Sequence, residues 1–443
     1  MLAWEMGTGK TRSTLESIAR SDARQIIIVA PLAVCPVWSD QIDIHAPQLA
    51  SSHRVVDLSR VHGARRKAES LAGARTTNCI VVVNYESVWR ATLSAIVSAQ
   101  PWDVVVLDES HRIKAPGGAA SRFLRTVCWR AKRRIALTGT PMPHSPMDLW
   151  AQFLAIAPGV LPRTAAEFRA RYAIMGGYRV DGRPSEVVGW KDLDELEARF
   201  LTVADRVRAD DVLDLPDVIH ENCPVDLPPS ARRAYAQMEK EFQTEIGEGT
   251  VTAANGAVKL LRLQQIASGA ANDEDGVSRV AHDVKKRRLA DLLADLPPSE
   301  PVAVFCRFRS TIAAVLDAAT EAGRPQDEIS GTRKTFGSKW TPHPGSVCAV
   351  QIQAGGLGID LTAARRAVWM EHPLSLGDYE QCLARIRRPG QAARSVEYHH
   401  IMANGTVDHA IRGALGEKKN VVAAVIDGMA RKTGRKSWIR NSK

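Results

Sequence analysis

The chain lacks paired cysteines. Its seven, Cys35, Cys79, Cys128, Cys223, Cys306, Cys348 and Cys382, are scattered, with no C-x-x-C spacing among them. Structural zinc needs clustered ligands and a disulfide scaffold needs a dense cysteine framework, so the sequence argues against both. Most of the cysteines sit in apolar runs and read as small core residues. No apolar run reaches the roughly 20 residues needed to cross a bilayer. The start has no basic stretch followed by an apolar one, so it does not read as a secretion signal. A cytoplasmic enzyme is the expectation. Aromatics make up only 5%, and the ten tryptophans show no spacing that would mark a base-stacking platform. There is no short-period repeat and no low-complexity tract.

What is there is the composition of a globular enzyme, 45% hydrophobic and 24% charged. At 443 residues the chain exceeds what one core usually holds, which favours two domains. The 59 Lys and Arg outweigh 49 Asp and Glu by +10, a balance that suits a polyanionic partner. Short β-branched runs alternate with amphipathic stretches, the pattern of a parallel sheet wrapped by helices. In the first third these runs are "QIIIVA" (25–30), "CIVVVN" (79–84), "WDVVVLDE" (102–109) and "RRIALTGT" (133–140). From about Pro158 the runs stop, and amphipathic stretches such as "DLDELEARFLTVADRV" predict a helical middle. Strand-like runs return as "PVAVFC" (301–306), "SVCAVQIQ" (346–353), "RAVWME" (366–371) and "SVEYHHI" (395–401). The expected organisation is an α/β lobe at 1–157, a helical insertion or linker at 158–282, a second α/β lobe at 283–415 and a basic tail at 416–443.

Two motifs carry chemistry. In "GTGKT" (Gly7, Thr8, Gly9, Lys10, Thr11) the glycines let backbone N–H groups close around phosphate oxygens. Lys10 would reach the β- and γ-phosphates and Thr11 would offer its hydroxyl to Mg²⁺. In "DVVVLDESH" a buried strand ends in Asp108 and Glu109; the first can hold Mg²⁺ through water while the second polarises the attacking water. Taken singly, the first is also readable as a Gly-rich turn and the second as a pair of solvated acids. Together and in this order they point to a nucleotide site.

The order "GTGKT … VVVLDESH … ALTGTP" resembles the nucleic-acid-stimulated ATPases of helicase superfamily two. In particular it resembles the Swi/Snf-type, chromatin-remodeller-like family, above all its short phage and bacterial forms. "IIIVAPLAVCPVWSDQI", "VVVNYESV", "LTGTPMPHSPMDLW", "AVFCRFRSTI" and "QAGGLGIDLTAARRAVWMEHPLSLGDYEQCLARIRRPGQ" resemble further blocks of that family, in family order. The resemblance implies two RecA-like parallel-sheet lobes with an ATP cleft between them, ATP with Mg²⁺, and DNA as partner, double-stranded or forked and bound without regard to sequence.

It also implies roles. Arg385 and Arg388 would neutralise phosphate charge in the transition state, with Gln381 on the same helical face, spaced four and then three residues apart. Gly358 and Asp360 would line the nucleotide side of the second lobe. His111, Thr138 and Thr140 would couple nucleotide to DNA. Pro31, Tyr85 and Glu86, with the stretch Gln353, Ala354, Gly355 and Gly356, would face DNA. Three positions depart from the family pattern: Trp4 replaces an acid, Asp360 an Asn, and Arg387 a frequent His. The family's adenine-recognition segment and first strand are absent ahead of Gly7. The expectation is therefore an internal start at Met1 and a phosphate loop without its supporting strand, with true truncation as the alternative. The implied activity is DNA-dependent ATP hydrolysis driving translocation along a duplex. A non-catalytic DNA-binding or annealing protein, and an RNA helicase, stay open as alternatives.

Overall fold

The computed structural model describes residues 1–73, 77–143, 145–180, 183–248, 253–272, 278–280, 282–331, 339–353 and 359–417. The chain forms two compact units, Met1 to Leu213 and Asp214 onward. The first is built on β1 (Gln25–Ala30), β2 (Arg54–Asp57), β3 (Cys79–Asn84), β4 (Val104–Asp108) and β5 (Arg133–Leu137). They form one parallel sheet in the order β2-β3-β1-β4-β5.

The uninterrupted apolar runs are explained by burial on both faces. Ile27, Val29, Val81, Val83, Val105 and Leu107 pack on one side. Ile26, Ile28, Ala30, Ile80, Val82, Val104 and Val106 pack on the other, the period-two alternation of a strand. Each such side chain contributes at most about 1.5–3 kcal/mol. Parallel pairing also brings the carboxyl ends of β1, β3, β4 and β5 to one edge of the sheet. Open α/β sheets place their chemistry at that edge.

The expectation of an unsupported phosphate loop is corrected here. Leu2 N–H donates to the Ala136 carbonyl at 2.8 Å, and Thr138 N–H donates to the Leu2 carbonyl at 3.1 Å. On the other side Ala3 N–H donates to Asp205 O at 2.8 Å and Glu5 N–H to Val207 O at 2.9 Å. The outer edge of β5 offers main-chain groups that need partners, and Leu2 supplies them there while Ala3 and Glu5 pair with Asp205 and Val207, though the pairing is too short to count as a strand.

The middle is not all helix. Helices such as Pro146–Ile156, Ala165–Tyr172 and Leu193–Leu201 enclose an aromatic-rich cluster with Trp150, Phe153, Phe168, Tyr172 and Phe200. The antiparallel pair β6 (Ala173–Val180) and β7 (Arg183–Trp190) lies among them. β8 (Asp217–Val225) then opens the second unit as an exposed edge strand, which is why its polar sequence hid it. A short antiparallel pair, β9 (Ala270–Asn272) and β10 (Ser278–Val280), follows helices Pro229–Glu248 and Ala253–Ala267. The second sheet adds β11 (Val302–Cys306), β12 (Gln326–Ile329), β13 (Val347–Gln351), β14 (Arg366–Trp369) and β15 (Ser395–Ala403), parallel throughout, in the order β12-β13-β11-β14-β15-β8. Two parallel-sheet α/β units are the arrangement expected of RecA-like lobes. All seven cysteines are buried in them, and among the described residues no helix is long and apolar enough to cross a membrane.

Candidate nucleotide site

The phosphate loop turns at Gly7 (φ 82°) and Gly9 (φ 89°), both in the left-handed region that favours glycine. A Cβ built on Gly9 would meet no atom within 4 Å, so that side of the loop is open. Gly9 caps helix Lys10–Ala19, whose amino end has no side-chain cap and no acid in its first turn. Its leading N–H groups are therefore left for an anion, and the helix dipole favours one. Thr11 lies in that first turn, half-buried. Lys10 Nζ donates to the carbonyls of Trp4 at 2.8 Å and Glu5 at 3.0 Å, and Thr8 Oγ1 donates to Glu5 O at 2.7 Å. Burial pushes the Lys10 ammonium's pKa down, and the nearby carboxylates of Glu109, Asp108 and Glu5 pull against it. That mutual influence places Lys10 and the two acids in one electrostatic site.

Asp108 ends β4 and is buried. Burial and the Glu109 charge raise its pKa to about 6, while hydrogen bonding from Trp38 and the Lys10 charge oppose the rise. Trp38 Nε1 donates to Asp108 Oδ2 at 2.8 Å, and Tyr85 Oη donates to the Asp108 carbonyl at 2.8 Å. Glu109 follows in a left-handed conformation, φ 49° and ψ 53°, which costs a non-glycine residue about 1–3 kcal/mol. The site fits a triphosphate with a divalent cation: open glycine backbone, an uncapped helix end, and a buried carboxylate whose ionised form is short of positive charge.

Beyond the acids, His111 Nδ1 lies 3.3 Å from Glu109 Oε2 and 3.1 Å from Thr138 Oγ1. Thr140 N–H donates to the same Thr138 hydroxyl at 3.1 Å. The structure thus joins the three expected coupling residues to Glu109 through one chain of contacts from the end of β4 to the end of β5.

The expected DNA-facing residues divide. Glu86 is exposed and receives bonds from Asn84 Nδ2 at 2.9 Å and Arg112 Nη1 at 3.1 Å. Gln353 is exposed as well. Tyr85 and Pro31 are buried, so the structure makes Tyr85 a prop beneath Asp108 and gives neither side chain a surface to offer DNA. Gly355, Gly356 and Gly358 lie outside the described residues. So does the tail from 418 onward.

In the second unit Asp360 Oδ1 accepts the Thr362 N–H at 2.8 Å, shaping its own turn. Gln381 and Arg385 lie on helix Leu376–Ile386, Arg385 buried and Gln381 half-buried. Arg388 does not share their helical face, because the helix stops at Ile386 with Arg387 as its cap. Pro389 explains this, since its ring disfavours helical backbone in the residue before it. Sequence reasoning missed Trp38 as an acid-holding residue; a buried indole N–H needs an acceptor, but spacing cannot say which.

Comparison with known proteins follows the same lines. A profile of the SNF2-related domain matches residues 1–275. The chain belongs to that family. Among relatives of this SNF2-related chain, protein p41 of Acyrthosiphon pisum secondary endosymbiont phage 1 is 29% identical, over 96% of this chain and 94% of the phage protein. The Bos taurus DNA annealing helicase and endonuclease ZRANB3 is 28% identical over 98% of this chain. The chain spans only 39% of that longer protein's length. A solved Sulfolobus solfataricus SWI2/SNF2 ATPase core in complex with dsDNA is similar over 98% of this chain and 90% of its own, at 21% identity and a TM-score of 0.39.

Proposed function

We propose that this SNF2-related chain is a DNA-dependent ATPase that moves along duplex or forked DNA without separating its strands. The observation that carries the reading is the convergence of Lys10, Asp108 and Glu109 in one partly dehydrated site beside an uncapped helix end. The loop amides and Lys10 bind the β- and γ-phosphates. Thr11 and Asp108 would hold a magnesium ion, which when bound would supply positive charge to the phosphate oxygens. Glu109 takes a proton from, or aligns, the water that attacks the γ-phosphorus, and His111 with Thr138 fixes the carboxylate's orientation. Turnover also requires Arg385 and Arg388, carried from the family resemblance as the guanidiniums that neutralise transition-state charge.

The DNA partner is supported by family membership, by the +10 net charge, and by the similarity to ZRANB3, a DNA annealing helicase. Binding of this kind grips phosphates and weakens as salt rises. The test is ATP turnover of wild type and Lys10→Ala titrated with single-stranded, duplex and forked DNA and with RNA. Stimulation by duplex or forked DNA, lost in Lys10→Ala, is expected. Wild-type turnover that no DNA accelerates would leave a DNA-binding or annealing protein, and stimulation by RNA alone would make it an RNA-directed enzyme.

A further inference from the structure

The edge of the second sheet brings together side chains that are far apart in sequence and unused by the nucleotide site. β8 pairs with β15 in parallel register, so that Glu221 stands opposite His399 and Cys223 opposite Ile401. Residues two apart on a strand share a face, and Glu221, Cys223 and His399 therefore point to the same side of the sheet. One ligand-capable atom from each lies within 4.8 Å of the others. Glu221 reaches solvent with its side chain 59% exposed, while Cys223 and His399 are 1% and 5% exposed.

His399 supplies the second observation. Both of its ring nitrogens are buried and neither makes a hydrogen bond, although a buried imidazole ordinarily satisfies at least one. Nδ1 lies 3.1 Å from Glu221 Oε2 without hydrogen-bond geometry. Nε2 lies 3.6 Å from Glu397 Oε2, and that carboxylate is in turn held by Arg366 Nε at 2.6 Å. Metal-binding histidines commonly have a carboxylate behind their second ring nitrogen, and Glu397 stands in that place without hydrogen-bonding it, while Nδ1 turns toward the further donors. Burial pushes the Cys223 thiol's pKa up, and the Arg288 guanidinium, which hydrogen-bonds it, works the other way.

We propose that Glu221, Cys223 and His399 form a binding site for a divalent transition metal of the zinc class, with a fourth position open to solvent. Thiolate, imidazole and carboxylate form a borderline-soft donor set that suits Zn²⁺ over Mg²⁺ or Ca²⁺. The ion would clip the exposed edge strand β8, with which the second unit begins, to the interior strand β15. Strand pairing, not spacing along the chain, assembles this donor set, so a reading of cysteine intervals passes over it.

The test uses the full chain, stripped by a chelator and shown to be folded by circular dichroism, then titrated with Co²⁺ as the probe and Zn²⁺ as competitor, with no nucleotide or DNA present. One Co²⁺ per chain is expected, with a thiolate-to-cobalt charge-transfer band that Zn²⁺ abolishes. Cys223→Ser removes the band. Glu221→Gln, at an exposed position that leaves folding intact, lowers Co²⁺ affinity at least about tenfold, and Glu397→Gln lowers it by about 10–100-fold. A folded wild type that shows no charge-transfer band overturns the proposal, leaving His399 as a buried ring between two carboxylates. A band that survives in Cys223→Ser, or affinity unchanged in Glu221→Gln, overturns it too.

Discussion

Replacing Trp38 with Phe isolates one bond at the centre of the candidate site. The indole N–H is the side-chain donor to Asp108 Oδ2, at 2.8 Å in a buried setting, and it works against burial and the Glu109 charge to keep that carboxylate ionised. A hydrogen bond to a charged group is worth about 1.5–3 kcal/mol, and about 1.4 kcal/mol corresponds to one pKa unit. Losing the donor therefore raises the Asp108 pKa from about 6 by roughly one to two units. Near pH 7 the protonated fraction climbs from about a tenth to between about half and nine-tenths. The benzene ring retains much of the packing of Trp38 and adds no unsatisfied donor, so the change acts mainly on the acid.

A protonated Asp108 cannot serve a cation. The expected result is a rate that falls about two- to tenfold near pH 7 and recovers toward wild type as the pH rises past 8–9. Raising the Mg²⁺ concentration shifts the recovery to lower pH, since metal and proton compete for one carboxylate. The assay is DNA-stimulated ATP turnover across pH at two Mg²⁺ concentrations, with the melting temperature followed in parallel. An acid limb that superimposes on wild type would refute the reasoning, and so would a loss that neither pH nor Mg²⁺ relieves.

Further outcomes follow from other groups. Thr138→Val removes the hydroxyl that meets His111 and accepts the Thr140 N–H; nucleotide affinity is expected to hold while DNA-stimulated turnover falls about five- to tenfold, near the worth of one hydrogen bond. Lys285 and Asp408 form an ion pair in which each side chain is 1% exposed, so Lys285→Met strands a buried charge and costs about 3–5 kcal/mol in denaturant unfolding. Lys285→Met with Asp408→Asn should cost less than the single variant. His220, His400 and His372 form a hydrogen-bonded row, 3.0 and 2.7 Å between successive ring nitrogens, and burial holds all three below the usual histidine pKa. Below about pH 6.5 the unfolded chain takes up protons that the buried His400 and His372 refuse in the fold, so stability falls by up to about 1.4 kcal/mol per pH unit for each of these two, and by less for the exposed His220. His400→Asn should flatten that slope by about one proton, and an unchanged slope would exclude the row as its source.

The parts of this molecule that could be read from sequence are those whose cause is local. "QIIIVA", "CIVVVN" and "VVVLD" announce themselves because both faces of each strand are buried, so every residue must be apolar. β8 and β12 did not, because "DVIHENCPV" and "QDEI" lie at the two edges of their sheet and tolerate polar residues. The end of the helix carrying Arg385 was legible in principle from Pro389, yet a periodic string of arginines masked it.

What a strand neighbour contributes has no local cause at all. Lys10, Asp108 and Glu109 could be named from short motifs because phosphate chemistry fixes which residues must stand beside one another in the chain. The side chains that tune them are set by the parallel order β3-β1-β4-β5. Through that order, a tryptophan after β1 meets the acid of β4, a tyrosine after β3 supports the same acid's carbonyl, and a threonine after β5 meets the histidine after β4. The same rule assembles Glu221, Cys223 and His399 across β8 and β15. Motifs thus locate where the chemistry begins, and register decides the proton affinity with which it runs. A change at Trp38, which alters no motif of the nucleotide loop or the acidic pair, should for that reason move the pH profile as far as a change made at the acids themselves.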